Sequence, residues 1–389
     1  MTAPPGAQRP TAVMIGSIGK LPLAGISYYF LHYLVGLQDL GYQVHYLERQ
    51  NWPGELYDPE TGMTDDPRYA LGYLESLMPR FGFSQEAWSF IDLDGRCHGS
   101  GWPALRAALD RADFLLTVAN PTWFDELERC PRRAFVDGDP MFTQIAMATG
   151  EGHRARAPFH YGVLFTYGVR SGKPDCALPS AGRAWIPTRP VVATRLWEVA
   201  GEGDGLPVTA LFHWAAGGDV TFEGRTYGHK DREFEKFIDL PRRTPQRLVL
   251  AAGGRAPHER LSELGWEFAS PLAASRTLED YRRFIAGSRA DLGIAKQAYV
   301  ASRSGWFSDR STCFLAAGRP VLHQDTGFHD WLPASDGVLA FSTIDEIVEG
   351  LRRLDLDYAR HARAARATAQ EHFEATRVLG RMLDEAGFR

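Results

Sequence analysis

The chain has few cysteines and no excess of positive charge. Its 389 residues include only 4 cysteines, at Cys97, Cys130, Cys176 and Cys313, with no CxxC pair, so neither a disulfide framework nor a zinc site is expected. A formal net charge of -5 argues against a nucleic-acid-binding patch. The polar, Pro-rich residues 1–10 do not resemble a signal peptide, and no apolar run approaches the length of a membrane span. These features predict a soluble cytoplasmic protein with no transmembrane segment.

The order of apolar runs predicts two α/β domains. A short run at 11–16, an amphipathic segment at 26–40 and a second run at 43–47 are typical of a βαβ unit. The same alternation begins again at 208, after a stretch rich in Gly, Pro and Ser. We therefore predict an N-terminal Rossmann-like domain over 1–185, a C-terminal one over 186–365, and a final helix over 366–389 that crosses back.

The segment 299–327 carries most of the functional argument. Ser308 is a natural N-cap for a short helix, which Gly318 would end in a left-handed conformation. The first turn of such a helix presents unpaired N–H groups and a positive dipole end, which suit a diphosphate. The predicted diphosphate ligands are Ser308, Asp309, Arg310, Ser311 and Thr312. The alternative, equally weighted from this segment alone, is that Ser308 and Asp309 only cap the helix while Arg310 pairs with a surface carboxylate.

The run from Ser302 to Gly327, with its GRPVL and QDTGF sequences, resembles the donor-binding segment of GT-B glycosyltransferases. The resemblance implies two facing Rossmann-like domains, a nucleotide-sugar donor held by the C-terminal domain, an acceptor held by the N-terminal domain, and no metal or other cofactor. In the large retaining branch this segment carries two glutamates seven residues apart. Here Gly305 and Cys313 occupy those positions, so the subfamily and the stereochemical outcome stay open.

Two groups of N-terminal residues lie where the predicted strands end. The loop with Gly16, Ser17 and Gly19 would let the backbone approach a ligand, although a plain strand-to-helix turn competes with this interpretation. Asp137 follows the strand near 134–136 and is the predicted general base for the acceptor hydroxyl. Asp139, which precedes Pro140, is instead expected to cap the next helix.

Further donor-binding candidates follow the strands of the C-terminal domain. Trp214 could stack on a base or sugar, Gly253 would let the backbone come close, and Lys296 could meet a phosphate as a point charge. Asp325, Thr326 and Gly327 lie where the hydroxyls of the transferred sugar are expected. Lys230 could touch a phosphate, but a solvated position is the favoured interpretation.

Together these patterns predict a metal-independent glycosyltransferase, in which Arg310 stabilises the leaving phosphate and Asp137 is the base. A nucleotide-sugar epimerase or hydrolase would use the same diphosphate site without an acceptor. A non-catalytic protein that closes on a nucleotide sugar is the third possibility. The base and sugar of the donor, the acceptor and the oligomeric state are not disclosed by the sequence.

Overall fold

The computed structural model describes residues 9–215, 217–333 and 335–389, so residues 1–8 of the predicted N-terminal domain lie outside the described residues. The N-terminal strands are β1 (Thr11–Ile15), β2 (Gln43–Arg49), β3 (Leu56–Asp58), β4 (Gly62–Thr64), β5 (Trp88–Ile91), β6 (Cys97–Gly99), β7 (Phe114–Val118), β8 (Arg133–Asp137), β9 (Val163–Thr166) and β10 (Ile186–Pro187). The accompanying helices are α1 (Ala24–Asp39), α2 (Arg68–Leu77), α3 (Gly101–Arg111) and α4 (Phe142–Thr149).

The N-terminal strands form one sheet in the order β10-β9-β8-β7-β1-β2-β5-β6, and β3 and β4 make a separate hairpin. All neighbours in the sheet are parallel except the edge pair β5 and β6. β1 is buried along its whole length, as expected of a central strand covered on both faces. The strand Ile186–Pro187 belongs to this sheet, so the sheet extends just past the predicted boundary at 185.

The second domain repeats the same architecture. Its strands are β11 (Val208–His213), β12 (Val220–Phe222), β13 (Arg225–Tyr227), β14 (Leu248–Gly253), β15 (Glu267–Phe268), β16 (Ala290–Gly293), β17 (Val321–Gln324) and β18 (Val338–Phe341). The helices are α5 (Lys230–Phe234), α6 (His258–Glu263), α7 (Pro271–Ser275), α8 (Leu278–Ala286), α9 (Gln297–Ala301), α10 (Asp309–Ala316), α11 (Ile344–Leu356), α12 (Tyr358–Thr368) and α13 (Ala375–Glu385). The sheet is parallel, in the order β15-β14-β11-β16-β17-β18, and β12 and β13 form a hairpin between β11 and α5.

The C-terminal helix crosses back to the first domain, as predicted. After a π-helical segment at Ala369–Phe373, α13 packs along α1. Gly36 of α1 makes this possible, because a Cβ there would lie 2.7 Å from the Cβ of Ala375. The linker between the domains joins the same contact, where Val192 donates to the Phe373 carbonyl at 2.8 Å and accepts from Ala375 at 2.9 Å.

No helix in the described part of the chain is long and apolar enough to cross a membrane. The four cysteines are free thiols rather than disulfides. Cytoplasmic location stays a prediction.

Candidate functional site

The loops at the carboxyl ends of the two sheets meet across a narrow gap. The indole of Trp306 donates to the Gly138 carbonyl at 3.2 Å, which joins a C-terminal loop to the end of β8. The backbone N–H groups of Arg170 and Ala177 donate to Ser304 and Ser302 at 3.0 and 2.9 Å. The two domains are therefore in contact at the edge where ligands bind in folds of this class.

Helix α10 has the local structure that the sequence predicts. Ser308 is its N-cap, and the hydroxyl of Ser308 accepts the N–H of Ser311. Gly318 follows the helix with φ of +72°, the left-handed conformation expected of a glycine at that position. The predicted cap and helix end are both confirmed.

Arg310 forms an ion pair within its own domain, and its predicted contact with a diphosphate stays a prediction. Its guanidinium pairs with the carboxylate of Asp291 on β16, with both N···O distances at 3.2 Å, and donates to the Leu211 carbonyl at 2.7 Å. Asp291 is fully buried and also accepts the hydroxyl of Ser311 at 2.6 Å. Arg310 and Ser311 therefore fix α10 to the sheet. This agrees with the alternative in which Arg310 pairs with a carboxylate, except that the acid is buried rather than at the surface.

The first turn of α10 has one hydroxyl that the protein already uses. Thr312 is fully buried and donates its hydroxyl to the Asp309 carbonyl at 2.6 Å. Burial raises the pKa of the Asp309 carboxyl despite the nearby Arg310 and Lys230. The predicted contact of this tip with a diphosphate stays a prediction.

Neither Asp137 nor Asp139 has the position that the sequence suggested. Asp137 is fully buried and accepts the side chains of Thr143, Gln144 and Thr166 at 2.8, 2.8 and 3.0 Å, so it anchors α4 and has no access to an acceptor. Burial raises the pKa of Asp137. The N-cap of α4 is Met141, with φ of +82°, and not Asp139. The assignment of Asp137 as base is corrected for this reason.

Asp139 is the carboxylate that reaches the other domain. It accepts Lys296 at 2.6 Å, Arg154 at 3.2 Å and the hydroxyl of Tyr299. Burial opposes ionisation, but Lys296 and Arg154 outweigh it and hold the pKa of Asp139 well below its usual range. Sequence reasoning missed Tyr299 and Arg154, because nothing in the local pattern places them beside Asp139.

The predicted cleft loop is held by an internal acid. The N–H groups of Gly19 and Lys20 donate to the buried carboxylate of Glu48 at 2.6 and 2.9 Å. Gly16 is required for packing, since a Cβ there would lie 2.7 Å from the hydroxyl of Tyr46. Ser17 is buried, and its hydroxyl has no partner among the described residues. The geometry favours a structural turn over a ligand-binding loop.

Trp214 also departs from its predicted role. Its ring is 7% exposed and packs against Phe212 and Phe234, with centroids 6.1 and 5.1 Å away, so it belongs to the core of the second domain and cannot stack on a ligand. Gly253 ends β14 beside it, and the Gly253 carbonyl accepts the N–H of Trp214 at 2.9 Å. The binding role of Gly253 stays a prediction.

The loop after β17 contacts the segment that leaves the first domain. Asp325 accepts the N–H of Gly327 at 2.8 Å and the ring of His329 at 2.9 Å. Thr326 is buried and donates to the Trp306 carbonyl at 2.6 Å, while a Cβ on Gly327 would lie 2.6 Å from the Arg170 side chain. Asp325 is partly exposed, and its predicted role in binding sugar hydroxyls stays a prediction. Thr326 and Gly327 are buried.

The positions of the missing glutamates are filled. Gly305 has φ of +75°, and a Cβ there would lie 2.9 Å from the Arg170 side chain, which leaves no room for a glutamate. Cys313 is buried on α10, where burial raises the pKa of its thiol well above the usual value. A Glu-pair mechanism therefore has no counterpart at these positions.

Two lysines define the cationic part of the gap. The ammonium of Lys230, at the start of α5, lies 5.5 Å from the ring centroid of Phe212 and forms no ion pair with a described residue. Burial, together with repulsion from Arg310 and Lys296, lowers the pKa of Lys230 to about 7. Lys296 lies 4.7 Å from the Phe142 ring centroid and is paired with Asp139. The sequence interpretation of Lys230 as solvated is corrected, since the side chain is half-buried.

A metal site is not evident in 9–215, 217–333 or 335–389. No group of three or more His, Cys, Asp and Glu side chains comes together there in an arrangement that could hold an ion.

The sequence and the structure were compared with known families and solved structures. Residues 232–384 match the family described as "Glycosyl transferase-like". No curated protein matches the sequence. Among solved structures, sucrose-phosphate synthase from Thermosynechococcus elongatus is similar at a TM-score of 0.51 and 14% identity, covering 97% of this chain and 99% of that one.

Two further structures show the same fold. HepE from Anabaena, in complex with UDP and glucose, has a TM-score of 0.55 and 10% identity over 98% of this chain and 100% of its own. An alpha-glucosyltransferase in complex with UDP and a 13-mer DNA has a TM-score of 0.58 and 9% identity over 98% and 100%. The two facing α/β domains thus form the GT-B fold, which confirms the predicted fold class.

The buried pair of Arg310 and Asp291 makes a prediction about stability. Replacing Arg310 by Ala leaves a buried carboxylate without its cation, so the free energy of unfolding should fall by about 3–5 kcal/mol. The matched control is Arg260→Ala, which removes an exposed pair with Glu235 and should cost less than about 1 kcal/mol. Urea unfolding of both variants measures the difference. Equal losses would show that Arg310 is not a structural residue.

Proposed function

We propose that this chain, a glycosyltransferase of the GT-B fold, transfers a sugar from a nucleoside diphosphate sugar to an acceptor hydroxyl without a metal ion. The observation that carries this proposal is a half-buried, unpaired lysine at the gap between the domains. Lys230 lies close enough to Arg310 and Lys296 for their repulsion to depress its pKa. A lysine whose charged form is disfavoured by burial and by two neighbouring cations is suited to bind an anionic ligand.

The diphosphate of the donor is the anion proposed for this site. Lys230 is proposed as the first contact of the diphosphate, because its ammonium is not paired with a carboxylate of the described residues. Arg310 contributes its positive charge through space while its guanidinium stays paired with Asp291. As the sugar leaves, negative charge grows on the phosphate, and fixed cations stabilise it without a metal. UDP is the first nucleotide to test, since two of the similar structures are complexes with UDP.

Lys296 is proposed as the second phosphate contact. Its ammonium is bound to Asp139, so the donor would compete with this carboxylate for the same cation. When Lys296 turns to the phosphate, Asp139 loses its strongest cationic neighbour and its pKa rises. Asp139 then becomes the carboxylate available to accept the proton of an acceptor hydroxyl. This assignment replaces Asp137, whose oxygens are committed to buried hydrogen bonds.

The acceptor is proposed to bind the N-terminal domain beside the cleft loop. Trp52 is 37% exposed there, and its ring lies 4.8 Å from that of His153. The nearby Lys20 is paired with Glu55 at 2.8 Å. An exposed aromatic ring next to fixed polar groups suits a sugar or another polyhydroxylated acceptor. A DNA acceptor is disfavoured by the net charge of -5.

Release of nucleoside diphosphate from candidate donors, with and without acceptors, tests the function. We expect turnover that requires an acceptor and survives EDTA. Turnover without any acceptor other than water would support the epimerase or hydrolase alternative. Binding of a nucleotide sugar without turnover would support a non-catalytic protein. A requirement for a divalent ion would contradict the proposed metal independence.

Lys230→Met should weaken donor binding by about 1.5–3 kcal/mol, because a charge-assisted hydrogen bond is lost. The protonated lysine is the form that binds, and its pKa in the free protein is about 7. A bound phosphate raises that pKa, so apparent donor affinity should fall by up to about tenfold for each pH unit above 7. Calorimetric titration between pH 6 and roughly pH 9 measures both effects.

The control for this variant is Lys173→Met, which changes an exposed lysine outside the gap. It should leave the affinity and its pH dependence unaltered. An unchanged donor affinity in Lys230→Met would remove Lys230 from the site.

Asp139→Asn should lower kcat by roughly two to four orders of magnitude, the usual contribution of a general base. Donor KM should stay constant or fall, because the amide no longer competes as an anion for Lys296. Asp94→Asn, at an exposed position, is the control. If kcat is preserved while donor KM rises, Asp139 only holds the domains together and is not the base.

A further inference from the structure

A cavity of about 460 Å³ lies at the domain junction, between the interdomain linker and the returning helix α13. Its walls come from the linker residues Thr188 and Arg189 and from Arg377 and Arg381 of α13, with His372 of the preceding π-helical segment between them. None of these residues belongs to the proposed donor site. The volume falls within the range of small-molecule sites.

The cavity brings arginines from two separate elements together. Arg377 and Arg381 are one helical turn apart and therefore lie on the same face of α13. Arg189 approaches them from the linker, with its guanidinium 4.6 Å from the ring centroid of Trp331. Among the described residues, none of the three arginines has an ion-pair partner. Arg377 and Arg381 are exposed and Arg189 is half-buried, and Glu371 and Glu385 line the same cavity without forming an ion pair with any of the three.

The surroundings of the cavity affect the pKa values of Arg189 and His372. Burial is the main reason that the pKa of Arg189 is lowered to about 10; the charge of Arg381 acts in the same direction and Glu385 in the opposite one. Burial also lowers the pKa of His372, where Arg189 and Arg377 act in the same direction and Glu371 opposes them. Glu371 and Glu385 line the cavity and offset part of its positive charge.

We propose that this cavity is a second, non-catalytic site that binds a phosphate group, either free phosphate or a phosphate monoester. The planar guanidinium groups of Arg189 and Arg381 can each donate two hydrogen bonds to phosphate oxygens, and the hydroxyl of Thr188 lies in the same wall. A dianion here would join the linker to the helix that returns to the first domain. Its binding would therefore stabilise one relative arrangement of the domains.

The site is tested by titrating the full-length protein with inorganic phosphate and, separately, with glycerol 3-phosphate. Saturable binding of either probe is expected, and the tighter of the two identifies the source of the phosphate. The variant Arg189→Gln/Arg381→Gln should bind at least tenfold more weakly. Arg363→Gln, an exposed arginine of α12 outside the cavity, should bind as the unmodified protein does.

Lys230→Met separates this site from the donor site. The proposal requires that Lys230→Met keeps the phosphate binding that Arg189→Gln/Arg381→Gln loses. The opposite pattern, or no saturable binding by the unmodified protein, overturns it. Thermal unfolding without phosphate checks that the double variant is folded, and added phosphate should raise the Tm of the unmodified protein but not that of the double variant.

Discussion

The contact of Asp139 with Lys296 and Tyr299 is the interaction on which the arrangement of the site depends. It joins the end of a strand in one sheet to the start of α9 in the other domain. One carboxylate thereby neutralises one of the cations in the gap and leaves Lys230 uncompensated. An anionic ligand that enters this gap meets a free cation first and a paired one second. The electrostatics of the gap are thus set by a contact between the two domains rather than by a contact within one of them.

Charge alone did not identify the ligand-binding residues, because the same side chains also build the fold. Arg310 follows the N-cap of α10 and has the chemistry of a phosphate ligand. Its guanidinium, however, is paired with an acid 19 residues earlier in the chain. That acid, Asp291, lies in the middle of an apolar run and gives no local sign of its role. Lys230 is the opposite case. Its neighbours in the sequence are polar and suggest a solvated side chain, but the fold half-buries it.

The layout of the domains was predictable because it follows from local patterns. Apolar runs and glycine-terminated helices depend on neighbouring residues only, and the run at 208–212 lies within β11, Val208–His213. The positions of Asp137 and Asp139 depend instead on the turn between β8 and α4, in which Met141 adopts a positive φ. No periodic pattern contains that information.

The contacts that join the domains differ in strength. Val192 is hydrogen-bonded into the returning segment, and the indole of Trp197 donates to the buried ring of His32 at 3.0 Å. The domains are also joined by exposed ion pairs, of Arg80 with Glu279 and of Arg276 with Glu60. Exposed pairs contribute about 0–1 kcal/mol each, far less than a packed interface. The relative arrangement of the domains therefore depends on the buried contacts rather than on these ion pairs.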